Sequence, residues 1–380
     1  MTRLLLCVLL SVPFEALSSR AAISFAYRAF RDEFRSEGPP HRDPVPYAER
    51  LAIFEASKAR VEALNARPHA SWVAKINRFA DFTEAELRAL RGYQRVGGRW
   101  EGGRQAPSFS SFLESQPQRS VAESMDWREH LHHSTGKGFI RNQGACGSCW
   151  AVAAVGALEM HAEIAGATPA LLSPEQLVDC VQNPRHCGGN GGCSGATAEL
   201  AFKYVAEHGL VRMGDYAGKG DGKCVSPASP ALRIQRFETL PVNELEPLLR
   251  AVAAKGPVVV SVEASGWSLY SEGVFADCGV DAEVNHAVLM VGYGTDAKLG
   301  KYYLIRNSWG PDWGEAGYIK LKRHDSDKGA EAGHCGTDYD PKAGVGCDNG
   351  SKTLPVCGMC GVLSDSSYPI DVSFSGAAGV

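Results

Sequence analysis

Residues 143–150 read QGACGSCW, with Cys146 and Cys149 separated by two residues. That spacing serves three chemistries: a redox dithiol, half of a zinc site, or a disulfide cysteine beside a nucleophilic one. Zinc would need a second Cys/His pair at ligand spacing, and none stands in a matching context. The chain has 12 cysteines, of which Cys7 lies in an N-terminal leader. An odd number remains, and in an oxidised chain that means a free thiol to explain. It is a nucleophile, an unpaired buried residue or half of an intermolecular bond. Cys149 begins the apolar run CWAVAAVGALEMHAEIAG and so opens a long helix. Free N–H groups and the helix dipole stabilise a thiolate there. Such a nucleophile needs an imidazole partner. Of 11 histidines, His286 begins the apolar run HAVLMVGYG, which places it at a sheet end. Spacing alone does not select it, and a structural histidine is the commoner case. A third group should orient the ring, and Asn307 in RNSWG is one candidate among several.

The elements that must hold these residues divide in two. Helices come first: 149–166, then 173–180 with Ser173 as N-cap and Pro174 in the first turn, then the amphipathic 195–209. Strand-like runs follow at 256–264, 286–294, 301–310 and 317–323. Helices followed by strands indicate an α+β fold. Upstream, residues 20–95 read as helical. Leu51, Phe54, Val61 and Leu64 fall at helical spacing, and Thr83 with Glu86 has the capping-box form for a further helix that Gly92 could end. Residues 96–120, rich in Gly, Ser, Gln and Pro, read as a linker. No cysteine occurs between 8 and 145, so a break near 120 separates two differently built parts. The first part has an excess of basic side chains and the second an excess of acidic ones. Docking through that charge would weaken as carboxylates protonate; two solvated surfaces are the plainer alternative.

At 380 residues, 44% hydrophobic and with net charge −4, the chain suits two or three globular domains. Nothing in that balance asks for nucleic acid. Met1-Thr2-Arg3, the apolar run 4–14 and the small residues Ala16, Ser18 and Ser19 have the plan of a secretory signal peptide over 1–18. The run is too short for a membrane anchor, and a buried N-terminal helix is the alternative. No later run reaches spanning length, so no membrane association is expected after the signal is removed. A secretory route is oxidising and favours disulfides.

Three motifs, NQGACGSCW, NHAVLMVGYG and YYLIRNSWGPDWGEAGYIKLKR, together resemble the papain family of cysteine peptidases, in the family's order. The likeness continues through DWRE, LSPEQLVDC, GCSGATAELAFKYV and MCGVLSDSSYPI, covering nearly all of 124–370. It implies a peptidase domain over 121–380, with a helical half, a β-barrel-like half and a cleft between them. By resemblance Cys149 is the nucleophile and Cys146 its disulfide neighbour. His286 is the base, Asn307 its orienting partner and Gln143 the oxyanion donor. Trp309 covers the Asn–His bond and Trp313 forms the leaving-group wall. The resemblance also implies bonds Cys146–Cys193, Cys180–Cys224 and Cys278–Cys360. Cys187, Cys335, Cys347 and Cys357 are left, with three possible pairings. Most of these lie in an insertion, 324–358, longer than the family leads one to expect, which also carries the glycosylation sequon NGS at 349–351.

Residues 19–120 resemble the family's inhibitory propeptide. ERLAIFEASKARVEALN keeps Arg50, Ile53, Phe54 and Asn65, and INRFADFT keeps Asn77, Phe79 and Asp81. Pro46, Ser57, Val61 and Lys75 depart from the pattern. The resemblance implies a segment that threads the cleft backwards until acid releases it. It also places Asp365 at the base of the pocket for the second residue before the scissile bond. Thr197, Ala198, Ser261, Val284 and Ala287 would be its walls, and Gly195 and Ala196 the backbone-binding segment. An acidic base can pair with Arg while apolar walls accept Leu or Phe; an Asp turned to solvent is the alternative. The implied activity is endopeptidase, needing no metal and no organic cofactor. The implied partners are peptide and protein substrates, the chain's own propeptide and cystatin-like inhibitors, for a monomer in the lysosome, vacuole or extracellular space. An exopeptidase, a dithiol oxidoreductase and an inactive binding homologue are the rival readings.

Overall fold

The computed structural model describes residues 14–35, 44–93, 121–226, 229–324 and 334–374, with side chains from residue 23 onward. The leader's start (1–13), residues 94–120 with the expected linker 96–120, and residues 325–333 of the insertion lie outside them.

The N-terminal part is built on helices α1 (Phe14–Phe34), α2 (Tyr47–Asn65) and α3 (Glu84–Ala89). Helix α1 runs through the expected leader boundary at 18/19. Tyr27 and Phe30 of α1 pack on Phe54 of α2, with ring centroids 5.2 and 4.9 Å apart. Burying a side chain of this size contributes roughly 1.5–3 kcal/mol. The Arg50 guanidinium, buried on the same helix, donates to the Asp81 carbonyl (2.9 Å) and to both Glu86 oxygens (2.6 and 2.7 Å). Thr83 and Glu86 form the expected capping box of α3. The helix ends at Ala89 rather than at Gly92. Residues 20–95 are not helical throughout: Trp72–Ala74 is a strand. It pairs antiparallel with Tyr270–Phe275 and so joins the sheet of the second part. Asn65 holds it in place, exchanging hydrogen bonds with the Ala74 N–H (2.8 Å) and carbonyl (2.9 Å).

In the second part, helices α4 (Cys149–Ile164), α5 (Pro174–Cys180) and α6 (Ala198–His208) form one half. Ser173 caps α5 by accepting from the Gln176 N–H, with Pro174 in the first turn. The other half is a sheet whose strands follow the order Trp72–Ala74, Tyr270–Phe275, Tyr318–Lys322, Gly300–Arg306, His286–Asp296, Val258–Val262, Ser366–Ile370, Arg236–Thr239. Helix α7 (Leu245–Ala254) packs on it. Helix α4 is nearly all buried, and lies against the central strands through Leu289, Val291 and Leu304. The N-terminus of α4 and the start of the His286 strand therefore meet where the two halves join. No described helix is long and apolar enough to cross a membrane.

Five disulfides connect Cys146–Cys193, Cys180–Cys224, Cys187–Cys347, Cys278–Cys360 and Cys335–Cys357. Among the described residues Cys149 is the free cysteine, and it is buried.

Candidate active site

Cys149 is the first residue of α4. The Cys146–Cys193 bond fastens the preceding loop, and Gly147 N–H donates to the Cys193 carbonyl at 2.9 Å. The sulfur accepts the Ala287 N–H at 3.3 Å. Burial pushes the thiol up to about 12, against the N–H groups of Ala287, Trp150 and Cys149 itself, which favour the thiolate. Part of that burial comes from the N-terminal part, whose Gly92 lies against the sulfur.

His286 opens its strand, and its Nε2 lies 2.8 Å from Asn307 Oδ1. The same Oδ1 accepts the Ser308 N–H at 2.8 Å. An oxygen that accepts from a backbone N–H is oriented as an oxygen, so Nε2 must carry the ring proton and Nδ1 the lone pair. Nδ1 is buried and without a hydrogen-bond partner among the described residues. A neutral imidazole thus presents a free basic nitrogen. Burial pushes its pKa down to about 4, the Asn307 bond working the other way. Trp309 lies beside the ring, centroids 5.2 Å apart, and Trp313 meets Trp309 edge-on at 5.1 Å.

Gln143 is held from both ends. Its backbone N–H donates to the Ser308 carbonyl (2.9 Å), and its Oε1 accepts from Ser308 Oγ. The Nε2 is left to donate, to the carbonyls of Cys146 (3.0 Å) and Leu90 (3.1 Å).

Leu90 belongs to the N-terminal part, which runs on through the cleft. Its carbonyl also accepts from Trp309 Nε1 at 3.3 Å. Gly92 stands over the sulfur in a left-handed conformation (φ +59°), and a Cβ there would lie 2.2 Å from Cys149 Sγ. Glycine is required twice, by the backbone and by the contact. Next, Tyr93 donates its N–H to the Asn285 carbonyl (3.3 Å) and sets its hydroxyl 2.9 Å from Ser261 Oγ. Ser261 donates to Asp365 Oδ2 at 2.6 Å. Asp365 is half-buried, and its carboxyl is pushed up to about 7, first by desolvation and then by Glu199. Ala196, Ala198 and Ala287 share one apolar cluster with Tyr93. Val284 sits apart, in a cluster with Ala282 and Val356 that Val345 covers. Gly195 has φ +93°, and Thr197 is the N-cap of α6.

Two features, Tyr93 and Glu199, had no signal in the sequence. Tyr93 plugs the Asp365 pocket, but a lone tyrosine after a glycine carries no periodic signal. Glu199, in the first turn of α6, shares the field of Asp365. Asn77, expected only by resemblance to belong to the propeptide, donates to the Ser268 carbonyl at 2.8 Å, while Phe79 meets Trp309 edge-on at 5.6 Å. The N-terminal part is thereby pinned beside the Trp309–Trp313 pair.

A thiol, an imidazole with a free nitrogen, an amide donor and a segment lying across all three define a thiol-dependent hydrolase held shut by its own chain. Comparisons with known proteins agree. Residues 121–345 match the papain family cysteine protease model, and residues 27–87 match the cathepsin propeptide inhibitor domain (I29). Cysteine endopeptidase RepA of Oryza sativa subsp. japonica is 31% identical over 384 residues, covering 97% of this chain and 91% of the relative. Vignain of Ricinus communis is 32% identical over 358 residues, covering 92% and 87%. The proform of the ragweed pollen cysteine protease Amb a 11 superposes with a TM-score of 0.68 at 30% identity, covering 96% of this chain and 98% of that one. Recombinant stem bromelain precursor gives 0.65 at 28% identity, covering 92% and 99%. The chain belongs to the papain family of cysteine proteases. It is a cysteine endopeptidase in its zymogen form, with the inhibitory propeptide still in the cleft.

Proposed function

We propose that Cys149, His286, Asn307 and Gln143 carry the hydrolysis. The observation that supports this best is the tautomer at His286: Asn307 takes the proton-bearing Nε2, leaving Nδ1 free beside the strand residue, Ala287, whose N–H meets the Cys149 sulfur. With the propeptide gone, Cys149 gives its proton to His286 Nδ1 and attacks the scissile carbonyl carbon. The developing oxyanion accepts from Gln143 Nε2, which the Leu90 carbonyl occupies in the zymogen, and from the Cys149 N–H. The imidazolium returns its proton to the leaving amine, and a thioester remains. Water, deprotonated by the same nitrogen, attacks the thioester, and the acid and the free thiol leave the cycle restored. Trp309 shields the Asn307–His286 bond from solvent, and Trp313 backs it on the leaving-group side.

Substrate choice rests on the Asp365 pocket. Thr197, Ala198, Ser261 and Ala287 line it, with Val284 set back behind the wall in its own cluster; Gly195 and Ala196 bind substrate backbone, and Asp365 with Glu199 favours a basic second residue. The ring of Tyr93, present there now, argues that an aromatic or large aliphatic residue also fits. The propeptide is taken to run over 19–120 and the peptidase domain over 121–380. The charge difference between the parts, and the carboxylate pairs inside the propeptide, favour release in acid. A leader over 1–18 would direct the chain into the secretory pathway, to a lysosome, a vacuole or the exterior. There a monomer would meet protein substrates and cystatin-like inhibitors.

The test is labelling. The secreted chain is held at neutral and at acidic pH with mild reductant, treated with an epoxide inhibitor and mapped by mass spectrometry. A fluorogenic peptide reports hydrolysis in parallel. An adduct on Cys149 only after acid processing, with matching loss of hydrolysis, is the expected result. A processed protein with neither adduct nor hydrolysis would overturn the assignment.

A further inference from the structure

The insertion joins the two walls of the cleft. On the sheet side, its strands Cys335–Asp338 and Leu354–Cys357 pair antiparallel and are closed by the Cys335–Cys357 bond. This hairpin lies along the residues leading to His286. Thr337 N–H donates to Asp281 Oδ1 (2.8 Å), Asp338 Oδ2 accepts the Val284 N–H (3.3 Å), and Val345 N–H donates to the Val284 carbonyl (2.9 Å). One residue later the chain is on the helical side. Gly346 accepts the Gly188 N–H (3.2 Å), Cys347 is bonded to Cys187, and Asp348 N–H donates to the Arg185 carbonyl (2.8 Å). The Asp348 carboxylate also meets His186 Nδ1 at 2.7 Å.

From Val345 to Cys347 the chain advances two residues, which spans at most roughly 7 Å. Within that distance it is fastened to both walls. The crossing lies beside the Asp365 pocket. Gly188, which bonds Gly346, also backs the Tyr93 ring, since a Cβ at Gly188 would lie 2.9 Å from Tyr93 Cδ1. The order along the cleft is therefore Leu90 at Gln143, Gly92 at Cys149, Tyr93 at Ser261 and Asp365, then the crossing.

We propose that this bridge ends the substrate groove at the Asp365 pocket. Recognition upstream of the scissile bond then stops at the second residue, and residues further upstream gain no contact with the cleft. An extended peptide needs about 3.3 Å of open groove per residue, and the bridge removes it. The enzyme should accept chains whose amino end lies two residues before the cut at least as well as longer ones. This inference rests on the peptidase reading above and goes beyond it, because it concerns a segment longer than the family pattern leads one to expect.

The test uses the processed enzyme and coumarin amides of Phe-Arg, each N-acetylated, with zero, one or two alanines added upstream. The expected kcat/KM is flat with length to within about threefold, or falls. A rise of tenfold or more with length, equivalent to about 1.4 kcal/mol of upstream binding, would overturn the bridge while leaving the peptidase reading intact. No hydrolysis of any member, with Cys149 unlabelled by epoxide, would take down both. The paired substitution Cys187→Ser/Cys347→Ser should make the longest substrate several-fold better relative to the shortest. An unchanged length profile in that folded variant would also count against the bridge. If the variant does not fold, the wild-type series alone decides.

Discussion

Tyr93 of the propeptide and Asp365 of the peptidase are connected through one hydroxyl, that of Ser261, with contacts of 2.9 and 2.6 Å. The pocket is therefore closed by an uncharged phenol over a carboxyl whose pKa is pushed up to about 7. A folded value above the unfolded one means that the closed form binds the proton better. The linked stability is present below the ordinary carboxylate range and is lost as pH rises through about 7.

In the processed enzyme the same carboxyl should read the second residue of the substrate. The ratio of kcat/KM for Arg over Leu at that position should rise with pH, through a midpoint between the ordinary carboxylate value and about 7. Asp365→Asn should lower the ratio at pH 7.5 by about tenfold, the scale of one lost charge-assisted contact, and remove its pH dependence. The Leu substrate should change little. A ratio unmoved by the substitution would mean that the carboxyl does not meet the substrate.

Glu86 titrates in the opposite sense. Pairing with Arg50 and the Thr83 N–H outweighs burial and holds its pKa below the usual glutamate value. Its contribution to propeptide stability is present above that usual value and is lost as pH falls through the depressed one. Glu86→Gln should lower the melting temperature of the zymogen's propeptide transition at pH 7. It should also move the onset of self-processing to higher pH. The difference from wild type should vanish in strong acid, where both forms carry a neutral side chain.

Gly92→Ala places a methyl group on the sulfur. The propeptide must then lift from Cys149, so the zymogen thiol should label with epoxide at neutral pH, where wild type stays silent. The melting temperature of the peptidase half should be unchanged. Equal labelling of the two zymogens would show that the contact over the sulfur is not what closes the site.

Gln143→Ala should reduce kcat by about 10²–10³, the range for one lost oxyanion donor, with little change in KM. Asn307→Ala should also reduce kcat, and should shift the acid limb of the pH profile, because the His286 proton loses its acceptor. Rescue of the acid limb by Asn307→Asp, which restores an acceptor, would separate orientation of the ring from mere packing.

Much of this was legible beforehand, for local reasons. A thiol at a helix start, a capping box and a short apolar run are short-range patterns, and α4, α3 and the His286 strand follow them. The selection of His286 among 11 histidines did not follow from spacing, because the strand it opens reaches Cys149 only through the Ala287 N–H, across 138 residues of chain. The strand Trp72–Ala74 was missed because three residues carry no readable alternation, and its partner lies almost 200 positions away. Pairing of the last four cysteines was open for the same reason: connectivity depends on which loops meet, and the Cys187 loop meets the insertion only once both halves are packed.

That three-residue strand has a life-cycle consequence. While the propeptide is present, Trp72–Ala74 covers the border of the sheet along Tyr270–Gly273, and Trp72 lies 4.9 Å from the Phe275 ring. Activation strips this cover. The mature enzyme then carries an open β-edge beside an uncovered aromatic surface, the kind of border on which foreign strands add themselves. Glu315 already occupies one of its N–H groups, that of Gly273 at 3.0 Å, and Glu272 places a charge on it. Removing the propeptide would thus uncover a sheet edge together with the catalytic thiol, and the two glutamates are what would keep that edge from pairing.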